Sequence, residues 1–299
     1  MLPFALDHKI ITWLEVRRAR ARRERGRVGW RAMEDAARHF YAMESRLTAG
    51  VSERMLDLAG LRAGMRVLDL ASGRGEPLLR AAKRVGPCGH VLGVDLDEQT
   101  LADTRATAAS RGLSNVELRV GSAEDVDATG CDAVTARWGI MYMASPERVL
   151  AAVRRALRPE GTFVAAYWAE PERVEWATLP RRVIARYAPL PPIDPARPGA
   201  FRYASVARIE EDYAAADLAV THVEETRVAV VEGARGEDIV DWVRAVLGRL
   251  LDGIAPADRA ACEAELAREA ELHRDGETIR VGGVTRIVVA KPDVTLDWL

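Results

Sequence analysis

The stretch VLDLASGRGE, from Val67 to Glu76, decides how the rest of this chain is read. Val67 to Leu70 is an apolar run interrupted by one carboxylate, Asp69, and it breaks at once into a turn carrying Gly73 and Gly75. Such a pattern is a buried strand entering a tight turn. When a helix follows, backbone N–H groups and the helix N-terminus face a ligand, because glycine tolerates positive φ and carries no side chain to block the approach. The guest is a phosphate, a dinucleotide, or something without phosphate.

Phosphate fails first. The phosphate-cradling GxxxxGK[ST] spacing and its lysine are both missing. The dinucleotide pattern GxGxxG does better, since Gly73 and Gly75 match and Asp95 ends the next apolar run, about twenty residues on, where a ribose-binding acid belongs. Its third glycine is replaced by Leu78. Asp69 at the end of the strand would repel a pyrophosphate and attract an ammonium, directly or through water. The residues therefore point to a guest with an amine and a ribose and no phosphate.

Outward from this turn, short β-rich runs alternate with helical stretches. The runs are MRVLDLA, HVLGVDL, NVELRVG, CDAVTARW and GTFVAAYW; Pro77 to Arg84, Glu98 to Ser110 and Pro146 to Leu157 suit helices between them. This alternation predicts βαβ units and a parallel sheet with helices on both faces. After Trp168 the segment rich in Pro and Arg up to Phe201 reads as loop with short helix, a lid over the sheet edge. Ile209 to Ala216 resumes as helix and THVEETRVAVV from Thr221 as strand. Helices over about Asp238 to Asp252 and Pro256 to Leu272 then precede a last strand, VTRIVVAKP, so the two terminal strands are expected to form an antiparallel edge pair carrying an insertion. The first sixty residues read as helical.

VLDLASGRG resembles the first motif of class I S-adenosylmethionine-dependent methyltransferases. The resemblance extends to VLGVDLD (Val91 to Asp97), to GSAEDVD (Gly121 to Asp127), to CDAVTARWGIMYM and to the LRPEGTF turn, and covers about Gly64 to Trp168. Ser122 stands where the family often has an acid, and Glu160 where a glycine is common. The resemblance implies a Rossmann-like α/β fold with a seven-stranded sheet whose last strand is antiparallel and lies beside the sixth. It implies a helical cap over residues 1–60, a methyltransferase domain over 61–299, and lid segments near 171–205 and 232–283. The implied cofactor, S-adenosylmethionine, would be held by Asp69, Ala71, Gly73, Gly75, Asp95, Leu96, Ser122, Ala123, Glu124 and Arg137, with Asp95 on the ribose hydroxyls and the 122–124 segment on adenine. Within the family, the fourth-strand wording and PGAFRYA are most similar to small-molecule methyltransferases of the quinone-biosynthesis type and their secondary-metabolite relatives.

Methyl transfer from a sulfonium needs alignment and exclusion of water more than acid-base machinery. Where the acceptor must lose a proton, His39 in RHFY is the first candidate base; His222 and His273 fit less well. Arg137 ends the fourth strand at the sheet's ligand edge, where it faces the methionine carboxylate, an acidic substrate or a neighbouring helix. Tyr41, Trp138, Met141, Tyr142 and Trp168 are candidates for the acceptor pocket.

The overall balance names no charged partner. Lys and Arg total 43 and Asp and Glu 45, a formal net charge of -2, so neither nucleic acid nor an anionic membrane is called for. The run RRARARRERGR (Arg17 to Arg27) lies beside no stacking residues or reading module and reads as a solvated helix face. Its rival reading is an RNA methyltransferase; a nicotinamide oxidoreductase and a cofactor-binding relative with non-methylating chemistry are the others. Cys88, Cys131 and Cys262 have no CxxC spacing, so neither a zinc site nor a disulfide framework is expected. No apolar run approaches the roughly 18 residues of a membrane span, and the first residues lack a secretory pattern. A cytoplasmic enzyme with a small-molecule acceptor and no metal is the expectation; oligomeric state stays open, a homodimer included.

Overall fold

The β-rich runs become the strands of one sheet. The computed structural model describes residues 39–293; the basic run Arg17 to Arg27 and most of the expected helical cap lie outside them. A helical segment over residues 39–47 and helix α1 (Ala49–Leu58) lead in. Strands β1 (Arg66–Leu70), β2 (His90–Asp95), β3 (Val116–Val120), β4 (Cys131–Arg137) and β5 (Leu157–Trp168) then run parallel. Helices α2 (Leu78–Val85), α3 (Glu98–Ser110) and α4 (Pro146–Ala156) serve the crossovers. Parallel strands need such crossovers, which cover the sheet and explain why β1 and β4 are largely buried on both faces.

Spatial order places the site. From β1 the chain moves outward through β2 to β3, then returns to lay β4 on the other side of β1, giving β3-β2-β1-β4-β5. The reversal leaves a crevice outside the carboxyl ends of β1 and β4, where an open α/β sheet binds its ligand. Ala71 and Trp138, the residues that follow these two strands, both adopt positive φ, 52° and 50°.

The terminal strands behave as expected. After α5 (Glu175–Ile184) and α6 (Val206–Ala214), β6 (Leu218–Gly233) runs to the edge; helices α7 (Gly236–Val246) and α8 (Arg259–Glu271) and the two-residue strand β7 (Arg274–Asp275) form the insertion; β8 (Thr278–Pro292) returns. β8 is antiparallel to both β5 and β6 and lies between them, with β7 pairing only to β8. β6 therefore points the same way as β5. Its carboxyl end, and the insertion that follows, lie on the same sheet edge as Ala71 and Trp138.

Local differences have local causes. The expected LRPEGTF turn is a bulge within β5, which pairs at Leu157 with Cys131 and resumes at Thr162 with Ala133. The helix expected from Asp238 to Asp252 ends at Val246 and a short 3-10 turn, Gly248–Leu251, follows. Residues 185–205 are mostly irregular, yet Phe201 and Tyr203 are buried. Gly199 N–H donates to the Met141 carbonyl at 2.9 Å and Arg202 to the Met143 carbonyl at 2.6 Å, which pins the expected lid to the loop after β4. Among the described residues no helix is long and apolar enough to cross a membrane.

The β6–β8 pair is set by a close backbone approach. Gly282 faces Ala229 in the ladder, and a side-chain carbon there would lie 1.9 Å from the Val228 carbonyl oxygen. Gly282→Ala is expected to cost about 1–3 kcal/mol by overpacking, read as a lower urea midpoint with an unchanged slope.

Candidate functional site

Asp69 sits at the centre of the site with no exposure to solvent. It pairs in register with Gly93 on β2 and Thr135 on β4. The Thr135 hydroxyl donates to Asp69 Oδ1 at 2.6 Å, while Oδ2 is buried and, among the described residues, has no hydrogen-bond partner. Burial pushes the Asp69 carboxyl up to about 7 against the opposing pull of Thr135 and of the Arg137 guanidinium. A buried carboxyl with an unused oxygen is costly unless a cation or donor completes it.

The turn after Asp69 is held from two sides. Gly73, at φ 50°, donates its N–H to Asp95 Oδ2 at 2.9 Å, and the Thr104 hydroxyl from α3 donates to the Gly73 carbonyl at 2.9 Å. Asp95 Oδ1 accepts from the Asp97 N–H at 3.0 Å. Each oxygen of Asp95 thus takes one backbone donor that orients it, and each retains a lone pair for a further donor. Asp97 in turn caps α3, accepting from Gln99 and Thr100 N–H. Next to Asp95, the Leu96 side chain is 49% exposed, an apolar surface that a flat base can cover.

Leu78 explains the missing third glycine. A side-chain carbon at Gly93 in β2 would lie 2.1 Å from Leu78 Cδ1. Close helix–strand packing, which a glycine on the helix normally permits, is supplied here by a glycine on the neighbouring strand.

The 122–124 segment is more committed to local structure. Ser122 Oγ accepts from the Glu124 N–H at 3.1 Å; Glu124 Oε1 accepts from the Ser145 N–H at 3.0 Å, and its other oxygen faces Arg148 at 3.8 Å. Both side chains hold the turn and the start of α4. Ala123 is buried between them.

At the end of β4, Arg137 donates to the Thr48 hydroxyl, just before α1, at 2.6 Å, and its guanidinium carbon lies 4.8 Å from the centre of the Trp138 ring. Burial lowers the pKa of this guanidinium, with Glu44, Glu76 and Asp69 opposing. Trp138 stacks on Trp168 at 4.5 Å and 10°, and its Nε1 donates to Thr285 Oγ1 at 2.8 Å. Met141 is fully buried and Tyr142 half-buried. A side-chain carbon at Gly139 would lie 2.6 Å from Ala71 Cβ, so the loops after β1 and β4 touch.

From the leading helix, Tyr41 meets the turn: the Arg74 guanidinium carbon lies 4.3 Å from its ring centre. His39 is exposed, its ring edge-on to Phe40 at 5.4 Å, and the described contacts do not bring it to the turn. His222 lies near the amino end of β6, paired with Glu224 at 2.9 Å. Sequence reasoning missed Thr135, Thr104 and Thr48, three hydroxyls that fix Asp69, the turn and Arg137. A signal existed for Thr135, a lone polar residue in the apolar run of β4.

The strand order, the crevice between β1 and β4 and the glycine turn define a Rossmann-like cofactor-binding domain. Residues 61–185 match the methyltransferase domain family. Nocamycin O-methyltransferase of Saccharothrix syringae is 40% identical over 136 residues, 44% of this chain and 49% of that protein. Demethylmenaquinone methyltransferase of Symbiobacterium thermophilum is 34% identical over 143 residues, 45% of this chain and 57% of that protein. The chain thus spans about half the length of these relatives. The Bacillus subtilis YcgJ protein shares the fold, with a TM-score of 0.53 at 19% identity over 80% of this chain and 97% of that one. The methyltransferase-domain match over residues 61–185 and the shared fold agree with the resemblance read from the glycine turn.

Ala71 occupies a left-handed conformation that favours glycine, at φ 52°. Ala71→Gly is therefore expected to relieve about 1 kcal/mol of backbone strain, offset in part by the added freedom of the unfolded chain. Thermal unfolding should show the variant no less stable than the parent, where Gly to Ala changes elsewhere in loops run the other way.

Proposed function

We propose that this protein transfers a methyl group from S-adenosylmethionine to an O, N or C nucleophile of a small, partly apolar organic acceptor, by in-line displacement. The observation that carries this reading is the unpartnered Oδ2 of buried Asp69 beside the glycine turn. It suits an ammonium, as the head of an amino acid offers. The other groups fit the same ligand: Asp95 for the ribose hydroxyls, exposed Leu96 for one face of adenine, the backbone around Ala123 for its edge, and Arg137 for the carboxylate.

When bound, the cofactor supplies a methyl already activated on a sulfonium. What remains for the chain is to hold it, aim it and keep water out. Asp69, Ala71, Gly73, Gly75 and Asp95 fix the amino-acid and ribose ends. Tyr41 over Arg74 closes the turn from the leading helix, and the insertions after β5 and β6 close the same edge from the other side. Residues 1–60 act as the cap, and the 171–205 and 232–283 segments as lids. The acceptor lies among Tyr41, Trp138, Met141, Tyr142 and Trp168, with His39 as the base where a proton must leave. The same reading makes the protein a cytoplasmic enzyme that uses no metal and no nucleic acid, and a homodimer is compatible with it.

Calorimetry with S-adenosylhomocysteine tests the reading. The parent protein is expected to bind it, and Asp69→Ala and Gly73→Val to lose that binding while keeping their circular dichroism spectra. Tight binding of NAD with none of S-adenosylhomocysteine would overturn it.

A second test follows from the raised carboxyl. An ammonium prefers the ionised form of Asp69, and in the free protein that form is lost as pH falls through about 7. Affinity for S-adenosylhomocysteine should therefore fall as pH drops from 8 to 6, by up to about tenfold per unit once below the midpoint. Asp69→Asn should bind weakly with a flat profile; a parent profile equally flat would refute the role of Asp69.

A further inference from the structure

All four tryptophans among the described residues form one line across the ligand edge. Trp138 stacks on Trp168; Trp168 meets Trp176 of α5 edge-on at 5.4 Å; Trp176 meets Trp242 of α7 at 6.5 Å and 89°. The line begins beside the glycine turn, where Gly139 and Ala71 nearly touch, and ends in the insertion after β6. Trp138 has its N–H satisfied by Thr285. Trp176 does not: its Nε1 is shielded from solvent and, among the described residues, has no acceptor.

A buried indole N–H ordinarily finds a partner, since leaving one unmade wastes the hydrogen bond it had to water. If Trp176 served only to pack, phenylalanine would fill much of the same space without that penalty. Trp176 is also only partly buried as a residue, whereas Trp138, Trp168 and Trp242 are almost wholly buried. Its ring is the one in the line with surface left to offer. It stands two ring contacts, of 4.5 and 5.4 Å, from Trp138 at the end of β4.

We propose that Trp176 is a recognition residue for the acceptor: a flat conjugated ring lies against its indole, which turns its shielded Nε1–H outward to an oxygen of that ring system, a carbonyl or an ether-type acceptor. The inference rests on the methyltransferase reading for the identity of the second ligand, but its own claim concerns a ring with an acceptor oxygen. An indole N–H only donates, so the site selects oxygen acceptors and gains nothing from their carbon isosteres.

The test compares 2-acetylnaphthalene with its carbon isostere 2-isopropenylnaphthalene, titrated with and without saturating S-adenosylhomocysteine. In the parent protein the ketone is expected to gain about fivefold in affinity from one ordinary hydrogen bond. Trp176→Phe should remove that gain, so the ratio of the two affinities falls by about that factor while the isostere binds as before. In the parent itself, the Trp176 indole proton, assigned by its proximity to the Trp168 and Trp242 rings, should move downfield with the ketone and stay with the isostere; this measurement decides the matter if the variant does not fold. An unchanged ratio in Trp176→Phe, an indole proton blind to the ketone, or binding of neither probe would overturn the proposal. Failure of S-adenosylhomocysteine to bind is a separate outcome that refutes the methyltransferase reading, and the titrations without it still decide the role of Trp176.

Discussion

The hydrogen bond from Thr135 to Asp69 joins the two central strands at the point where the chain reverses its course across the sheet. A carboxylate has no place in the middle of a parallel sheet unless something compensates for its lost hydration. Here the compensation is partial: one oxygen is satisfied by threonine, Arg137 lies close enough to pull on the charge, and the other oxygen has no partner among the described residues. The surrounding edge is built to bring polar groups to that oxygen while keeping bulk water away. Asp69 is a buried carboxyl left half-compensated, and the site is organised around it.

The glycine turn depends on the same arrangement. Its backbone is set by hydroxyl and carboxylate groups from the next crossover, Thr104 and Asp95, rather than by the turn residues alone. Asp95 spends one lone pair of each oxygen on backbone N–H groups, so it is aimed before any ligand arrives. Such prior orientation lowers the conformational entropy the protein must give up when a ligand binds. The loop after β4 presses on the turn at Gly139 and Ala71, so residues far apart in the chain pack as one unit.

The terminal strands extend this logic. β8 reverses direction between β5 and β6, which lets β6 run with the parallel strands and deliver its insertion to the ligand edge. The leading helices are tied to the far strand by Arg46 with Glu232 at 2.6 Å and Arg54 with Glu224 at 2.7 Å. Exposed pairs like these are worth little each. They orient the helical segment that carries Tyr41 without locking it.

Much of the fold was legible because strand and helix periods are local. The runs around Val67, Val91 and Val134 and the helix from Glu98 to Ser110 needed no knowledge of neighbours, and the antiparallel terminal pair followed from two strands left over. The glycine turn itself was legible to the same degree, since glycines and a carboxylate at fixed spacing belong to one stretch of chain. The bulge at Leu157 to Gly161 was hidden, because a register shift belongs to a pair of strands. So was the compensation for Leu78, whose partner Gly93 lies on another strand, and the diversion of Glu124 to Ser145 and Arg148.

By itself, the sequence determined the alternation of strands and helices, the turn that follows Asp69 and the expectation of an amine-and-ribose ligand in place of a phosphate. Each is a property of a few adjacent residues. Only the tertiary structure decided which hydroxyls meet Asp69 and Arg137, that Tyr41 reaches the turn, and that four tryptophans from β4, β5, α5 and α7 meet in one line. Those facts are distances between segments tens to a hundred residues apart, and nothing short of the packed sheet fixes them.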